Sequence, residues 1–142
     1  MMCPSPAAAQ ESIFIEPPAC GVVLLVEDDD VVAGLVTHIL ARRAARVLRA
    51  GSGAEGEKLF SEHQAEIALA ILDCWLPDGD GTVLCRRLRR AAPELPVLLT
   101  SGCDNAEALR LAGEGRTAFL PKPFYPAQVD RQVTALLSLA AS

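Results

Sequence analysis

The sequence has few residues of the kind that build disulfide-rich or zinc-binding domains. Its five cysteines are scattered along 142 residues, no two form a C-x-x-C pair, and there are only two histidines. A structural zinc site needs clustered Cys and His ligands, so this spacing argues against one. An odd number of unclustered thiols is typical of free cysteines in a reducing compartment, and we therefore expect a cytoplasmic protein.

Long apolar runs and a surplus of basic residues are absent as well. No hydrophobic stretch approaches the roughly 18 residues that cross a bilayer, so we expect no membrane insertion. The N-terminus lacks a basic segment, and prolines and acids interrupt its apolar residues, which argues against a signal peptide. The net charge of -5 argues against direct nucleic-acid binding, which normally needs a basic face.

What the chain does have is enough apolar residues for one domain. Hydrophobic residues make up 51% of the sequence and charged residues 22%, which allows a packed core. We expect a flexible leader over residues 1–20, where prolines interrupt the chain, and one domain over residues 21–142.

Short apolar runs alternate with helix-like segments from Gly21 onward. Five runs are predicted as strands: Val22–Val26, Arg46–Ala50, Ile67–Leu72, Pro96–Thr100 and Thr117–Leu120. The second helix is expected from about Ala54 to His63, and a loop with Pro77, Gly79 and Gly81 precedes the third. Five β-α repeats predict an α/β fold, with a parallel sheet and helices on both faces.

Local signals predict where helices begin and which faces they bury. Asp29 and Asp30 are predicted to cap the first helix, and Asp104 the fourth. Apolar stripes at helical spacing lie at Val32, Leu35, Val36, Ile39 and Leu40, at Val83, Leu84 and Leu88, and at Val129, Val133, Leu136 and Leu137. Arginines 86, 87, 89 and 90 are interpreted as a solvated helix face, with attraction of an acidic partner as the alternative.

Polar residues crowd the carboxyl ends of the apolar runs. They are Glu27, Asp28 and Asp29 after the first run, Asp73 after the third, Ser101 after the fourth and Lys122 after the fifth. Ligands of open parallel sheets bind outside these strand ends, so we expect the side chains to converge. Converging carboxylates raise one another's pKa unless a cation neutralises them, and Mg²⁺ is the natural partner.

This set supplies the parts of a phosphoryl-transfer site. Asp73 can attack phosphorus, and Lys122 and the Ser101 hydroxyl can contact the added phosphoryl oxygens. Taken singly, each residue has a simpler interpretation, since acids cap helices, a lone Asp or Ser often lies in a turn, and a surface Lys is usually solvated. Their joint placement at successive strand ends favours the functional interpretation.

Four segments in order resemble the receiver domains of bacterial two-component response regulators. They are VVLLVEDD at 22–29, ILDCWLPDGDG at 71–81, LPVLLTSG at 95–102 and FLPKPF at 119–124. The resemblance extends over about residues 21–139. It implies a flavodoxin-like, doubly wound (βα)5 fold with strand order 2-1-3-4-5.

The resemblance also implies roles at the pocket. Asp73 is the phosphorylation site and belongs to the Mg²⁺ site together with the acidic pair Glu27 and Asp28, of which Asp28 is a direct ligand. Trp75 would supply a backbone carbonyl to the metal, and Lys122 would bind the phosphoryl group through its ammonium.

Further positions set the switch and the lifetime of the phosphoryl group. By the resemblance, Ser101 is the switch hydroxyl, Phe119 is the switch aromatic, which lacks a tyrosine hydroxyl, and the Lys122–Pro123 bond is cis. Trp75 and Cys103, two residues beyond Asp73 and Ser101, lie where the family controls hydrolytic water. Both side chains orient water poorly, which predicts a long-lived phosphoryl group.

The implied partners are proteins. A sensor histidine kinase or a histidine phosphotransfer protein would donate the phosphoryl group, and a downstream protein target would read it. A homodimer through the last two helices and the last strand is a further expectation, and the chain is either a stand-alone receiver or a piece of a larger protein. We expect no enzymatic activity beyond its own phosphotransfer and slow autodephosphorylation.

Two other functions stay open. One is an interaction module that works without phosphorylation, against which the intact Asp28, Asp73, Ser101 and Lys122 argue. The other is a phosphatase with an aspartyl nucleophile, but such enzymes usually carry a second Asp two residues later, where this chain has Trp75.

Overall fold

The structure is a computed structural model that describes residues 21–44 and 46–141, so the predicted leader lies outside the described residues. Strands and helices alternate along the chain in the expected order. They are β1 (Val22–Val26), α1 (Asp30–Leu40), β2 (Arg46–Ala50), α2 (Gly53–His63), β3 (Ile67–Asp73), β4 (Trp75–Leu76), β5 (Gly79–Asp80), α3 (Gly81–Ala91), β6 (Val97–Ser101), α4 (Ala106–Ala112), β7 (Thr117–Pro121) and α5 (Pro126–Ala141).

Five of the strands form one parallel sheet in the order β2-β1-β3-β6-β7. This arrangement confirms the flavodoxin-like order 2-1-3-4-5. The strands are continuous apolar runs because helices cover both faces of a parallel sheet. The chain leaves β1 toward β2 and returns on the other side at β3, so the strand order reverses between β1 and β3.

The core consists of two layers separated by the sheet. Successive side chains of a strand point to opposite faces, so neighbouring Leu24 and Leu25 pack into different layers and both are buried. Leu24 lies with Phe60 of α2 and the buried faces of α3 and α4. Leu25 lies with Val36 of α1 and Val129 of α5.

Two of the predicted helix caps are wrong. The Asp29 side chain does accept hydrogen bonds from the first turn of α1. Asp30, however, is the first helical residue, and it pairs with Arg49 at 2.7 Å. The α4 cap is Asn105 rather than Asp104, because the turn after β6 runs one residue further than expected.

The predicted apolar stripes are only partly buried. Leu35 and Val83 are 38% and 42% exposed, and the small side chain of Ala33 takes a place in the core instead. The shift arises because an 11-residue helix over a twisted sheet buries a narrow stripe, centred in α1 on Ala33, Val36 and Leu40. In α5, Val129, Val133 and Leu136 are buried as expected, and Leu137 is half-buried.

The arginines of α3 are not simply a solvated face. Arg89 donates to two backbone carbonyls and to the Thr117 hydroxyl, which ties α3 to the start of β7. Arg86 pairs with a glutamate of α4 and Arg87 with a glutamate of α2. These three guanidinium groups therefore bind neighbouring helices and loops.

Two general features of the described residues bear on the sequence expectations. Within residues 21–44 and 46–141, no helix combines the length and the apolar character needed to cross a membrane. The cysteines that lie in these ranges, Cys74, Cys85 and Cys103, are free thiols.

The segment after β3 is a short antiparallel ribbon, β4 and β5, where the sequence predicted a loop. The ribbon returns to the end of β3, and the Gly81 N–H donates to the Cys74 carbonyl at 3.0 Å. A Cβ atom added at Gly81 would lie 2.1 Å from the Asp73 carbonyl oxygen. Only glycine fits here, because the neighbouring atom belongs to the backbone.

We expect Gly81→Ala to lower the free energy of unfolding by about 3 kcal/mol or more, at the upper end of overpacking costs. Gly34→Ala in α1 is the matched control, since nothing lies within 4 Å of its added Cβ. That substitution should raise stability by roughly 1 kcal/mol through helix propensity. Urea denaturation followed by circular dichroism measures both, and similar values for the two variants would contradict the close approach.

Candidate functional site

Three acidic side chains meet where the strand order reverses. Glu27 and Asp28 directly follow β1, Asp73 is the last residue of β3, and β1 pairs with β3 in parallel. Each of the three offers a carboxylate oxygen that lies within 4.8 Å of the others. The predicted convergence therefore holds for these residues, whereas Asp29 turns away to cap α1.

Lys122 places a positive charge against this acidic group. Its Nζ donates to Glu27 Oε1 at 2.9 Å and to Asp73 Oδ2 at 3.3 Å. The Lys122 backbone N–H also donates to the Ser101 carbonyl at 2.7 Å, which fixes the start of the loop after β7. The Lys122–Pro123 bond is cis, as expected.

Burial and charge shift the pKa values of this pair. Burial raises the pKa of Glu27, the hydrogen bond from Lys122 opposes the shift, and the nearby charge of Asp73 adds to it. Burial by itself lowers the pKa of the Lys122 ammonium, but the hydrogen bonds and charges of Glu27 and Asp73 outweigh burial and raise it. Lys122 is therefore cationic at neutral pH.

The donor set fits a hard divalent cation. Three carboxylates stand against one ammonium, which leaves an excess of negative charge. Both Glu27 oxygens already accept hydrogen bonds, from Lys122 and from the Asp29 N–H. The Asp28 carboxylate is exposed, and within the described ranges no side chain donates a hydrogen bond to it. An open carboxylate beside a buried one suits Mg²⁺, which keeps several waters.

Asp73 itself is held in place on both sides. Its Oδ1 accepts from the Trp75 N–H at 3.2 Å, and its Oδ2 accepts from Lys122. The next residue, Cys74, donates its N–H to the Thr100 carbonyl at 2.8 Å and continues the sheet pairing. The side chain is nearly buried, at 6% exposure. Trp75 has an exposed side chain, while its backbone lies against Asp73.

The two predicted switch residues lie on the neighbouring strands β6 and β7. Ser101 is fully buried, and its hydroxyl donates to the Cys103 carbonyl at 2.9 Å and accepts from the Cys103 N–H at 3.2 Å. Phe119 of β7 is half-buried and packs on the core layer that contains α4. Among the described residues, no hydrogen bond joins the Ser101 hydroxyl to Asp73.

Two acids of the ribbon have contacts that were not predicted from the sequence. Asp80 caps α3 by accepting from the N–H and hydroxyl of Thr82, and a local signal was available because Asp80 directly precedes that helix. Asp78 accepts from the backbone N–H groups of Gly53 and Ala54. No local pattern points to this second contact, because 24 or more residues separate the partners.

Comparison with known protein families gives a match over most of the chain. The family described as response regulator receiver domain matches residues 23–134. GltR, a transcriptional regulatory protein of Pseudomonas aeruginosa, is 36% identical over 121 residues, which cover 83% of this chain and 49% of that protein. The sensor kinase CckA of Brucella abortus is 34% identical over 116 residues, covering 81% of this chain and 12% of the kinase. The chain thus spans about half of one relative and a small part of the other.

Solved structures agree with this match. The receiver domain of NtrX from Brucella abortus has a TM-score of 0.73 at 26% identity, covering 82% of this chain and 98% of that one. A response regulator receiver domain protein from Methanospirillum hungatei has a TM-score of 0.74 at 23% identity, covering 85% and 96%, and supports the fold alone.

The family match begins in β1 and ends in α5, so it contains the acidic group, Lys122 and both flanking loops. The strand order and the clustered acids agree with it independently. The chain belongs to the response regulator receiver domain family.

Proposed function

We propose that the chain is a phosphoacceptor, phosphorylated on Asp73 with Mg²⁺, that signals by contact with another protein. The observation that carries this proposal is the close group formed by Glu27, Asp28 and Asp73 with Lys122 against two of them. An interaction module without phosphotransfer would not need this concentration of buried charge, which costs stability.

The residues divide the metal and phosphoryl roles between them. Asp28, whose carboxylate is exposed, and Asp73, which lies at the end of β3 beside it, are the direct carboxylate ligands in this proposal. Glu27 adds negative charge behind them, and the Trp75 carbonyl completes the protein ligands. When bound, Mg²⁺ neutralises the carboxylates and the incoming phosphoryl oxygens.

Phosphotransfer then needs a nucleophile and a cation. A carboxylate oxygen of Asp73 attacks phosphorus, the new P–O bond forms, and the P–N bond to a donor histidine breaks, leaving the electron pair on that nitrogen. The Lys122 ammonium, already beside Asp73, contacts the new phosphoryl oxygens. A histidine kinase or a histidine phosphotransfer protein supplies the group.

Ser101 and Phe119 form the switch in this proposal. The Ser101 hydroxyl exchanges its bonds with Cys103 for a phosphoryl oxygen, and Phe119 moves into the space that it leaves. The surface of α4, β7 and α5 changes as a result. A downstream protein or a second copy of the chain binds that surface. The proposal also places the protein in the cytoplasm and assigns residues 21–142 to the receiver domain.

Incubation with acetyl phosphate and Mg²⁺ is expected to add the mass of one phosphoryl group. Asp73→Asn should abolish the addition because an amide replaces the nucleophilic carboxylate. Intact-protein mass spectrometry measures it, and chelation of Mg²⁺ should suppress it. Asp30→Asn is the matched control, since Asp30 pairs with Arg49 outside the acidic group. No addition to the unaltered chain would favour the interaction module, and turnover of a phosphate ester would favour the phosphatase.

The phosphoryl group is expected to be long-lived at neutral pH. Trp75 and Cys103 are exposed beside the pocket, and neither side chain can orient an attacking water well. Decay of phospho-Asp73 should therefore be slow, and Trp75→Asn, which adds a hydrogen-bonding amide, should speed it about tenfold, below the gain of a full general base. Loss of the group from the unaltered chain within seconds would contradict this expectation.

Phosphotransfer profiling identifies the donor. Purified histidine kinases of the host are each mixed with the chain, and the cognate kinase is expected to transfer its label fastest. Asp73→Asn serves as the control in every reaction, because labelling of that variant would mean that another residue accepts the group.

A further inference from the structure

The ribbon formed by β4 and β5 needs support from outside itself. It contains only two paired positions, Trp75 with Asp80 and Leu76 with Gly79. A two-stranded hairpin of this size is not stable alone in water. The ribbon nevertheless carries Trp75, whose N–H donates to Asp73 and whose carbonyl is the proposed metal ligand.

Contacts at the base of the ribbon fix only its two ends. The Gly81 N–H bonds to the Cys74 carbonyl, and Asp80 caps α3. Packing adds little, because the Trp75 side chain is 64% exposed and Leu76 is only partly buried. The tip therefore depends on a different contact.

Asp78 at the tip is bound to the first turn of α2. Its Oδ1 accepts from the Gly53 N–H at 2.8 Å and its Oδ2 from the Ala54 N–H at 2.9 Å. The Ser52 side chain accepts from the third N–H of the turn, that of Glu55. The ribbon and the local cap thus divide the free donors of α2 between them.

The fit between ribbon and helix is close. A Cβ atom added at Gly53 would lie 3.2 Å from Asp78 Oδ1, so the helix brings its backbone directly to the carboxylate. The positive end of α2 favours the charged carboxylate, and the two hydrogen bonds lower the pKa of Asp78.

We propose that Asp78 is a positioning residue for the phosphoacceptor site. Its two hydrogen bonds with the first turn of α2 hold the ribbon so that the Trp75 backbone stays fixed beside Asp73. This inference rests on the proposed function, in which the Trp75 carbonyl binds Mg²⁺. The alternative is that Asp78 only caps α2, in which case its loss changes stability and leaves metal binding as it was.

The only tryptophan of the chain is Trp75, so its fluorescence reports on the ribbon alone. In metal-free protein, Asp78→Ala is expected to lower the fluorescence anisotropy of Trp75, because the ribbon moves more freely. In a Mg²⁺ titration followed by Trp75 fluorescence, the Kd of Asp78→Ala for Mg²⁺ should be about tenfold higher than that of the unaltered chain. Loss of a residue that holds a metal ligand in place typically weakens metal binding by about 10- to 100-fold. We expect the lower value here because the two hydrogen bonds of Asp78 are exposed to solvent.

Further variants separate positioning from capping. Ser52→Ala removes a cap from the same helix turn without touching the ribbon, and it should leave anisotropy and Kd unchanged. Asp78→Asn keeps one carbonyl acceptor and should fall between Asp78→Ala and the unaltered chain.

The outcomes distinguish this inference from the proposed function. If the unaltered chain binds Mg²⁺ and Asp78→Ala binds it equally well, the positioning role is overturned and the phosphoacceptor stands. Equal weakening by Ser52→Ala overturns it too. If the unaltered chain shows no Mg²⁺ response, the proposed function fails. The metal-free anisotropy then decides whether Asp78 orders the ribbon.

Discussion

The mutual repulsion of Glu27, Asp28 and Asp73 is the constraint on which the rest of the site depends. Parallel strands that neighbour each other bring their carboxyl ends to one edge, so acids at the ends of β1 and β3 cannot avoid one another. Lys122 offsets only part of the charge. A phosphoryl group is itself negative and can enter such a pocket only together with a cation. In the proposed function, phosphorylation therefore depends on a metal because the fold places these acids together.

Burial of Glu27, and after it the repulsion from Asp73, makes the site a cost to the folded state that a ligand can reverse. Because the folded pKa of Glu27 is above its ordinary value of 4.5, the folded chain binds that proton more tightly than the unfolded chain. The resulting stability is present at acid pH and is lost as pH rises through the folded pKa. At neutral pH the pocket therefore holds charge that it does not favour. Any cation that binds only the folded state recovers stability there.

The sequence predicted most features that depend on local patterns, and it failed at one local turn and where distant contacts decide. Apolar runs followed by acids predicted the strands and the convergence of Glu27, Asp28 and Asp73. The order of the strands was predicted from the resemblance to the family. Asp104 was wrongly predicted as a cap because the bonding of Ser101 with Cys103 lengthens the turn. The contacts of the α3 arginines were missed for a different reason: their partners lie on elements that only the tertiary fold brings near.

The two loops that flank Asp73 differ in how they are held, and in the proposed function this difference decides which side of the pocket moves. The ribbon after β3 is bound at its base and, through Asp78, to α2. Among the described contacts, the turn after β6 is held mainly by the bonds of the Ser101 hydroxyl with Cys103 two residues away. In the proposed function, a phosphoryl group on Asp73 draws the Ser101 hydroxyl from those local bonds. Because the ribbon is held more firmly, the proposed displacement falls on α4 and on β7, where Phe119 lies.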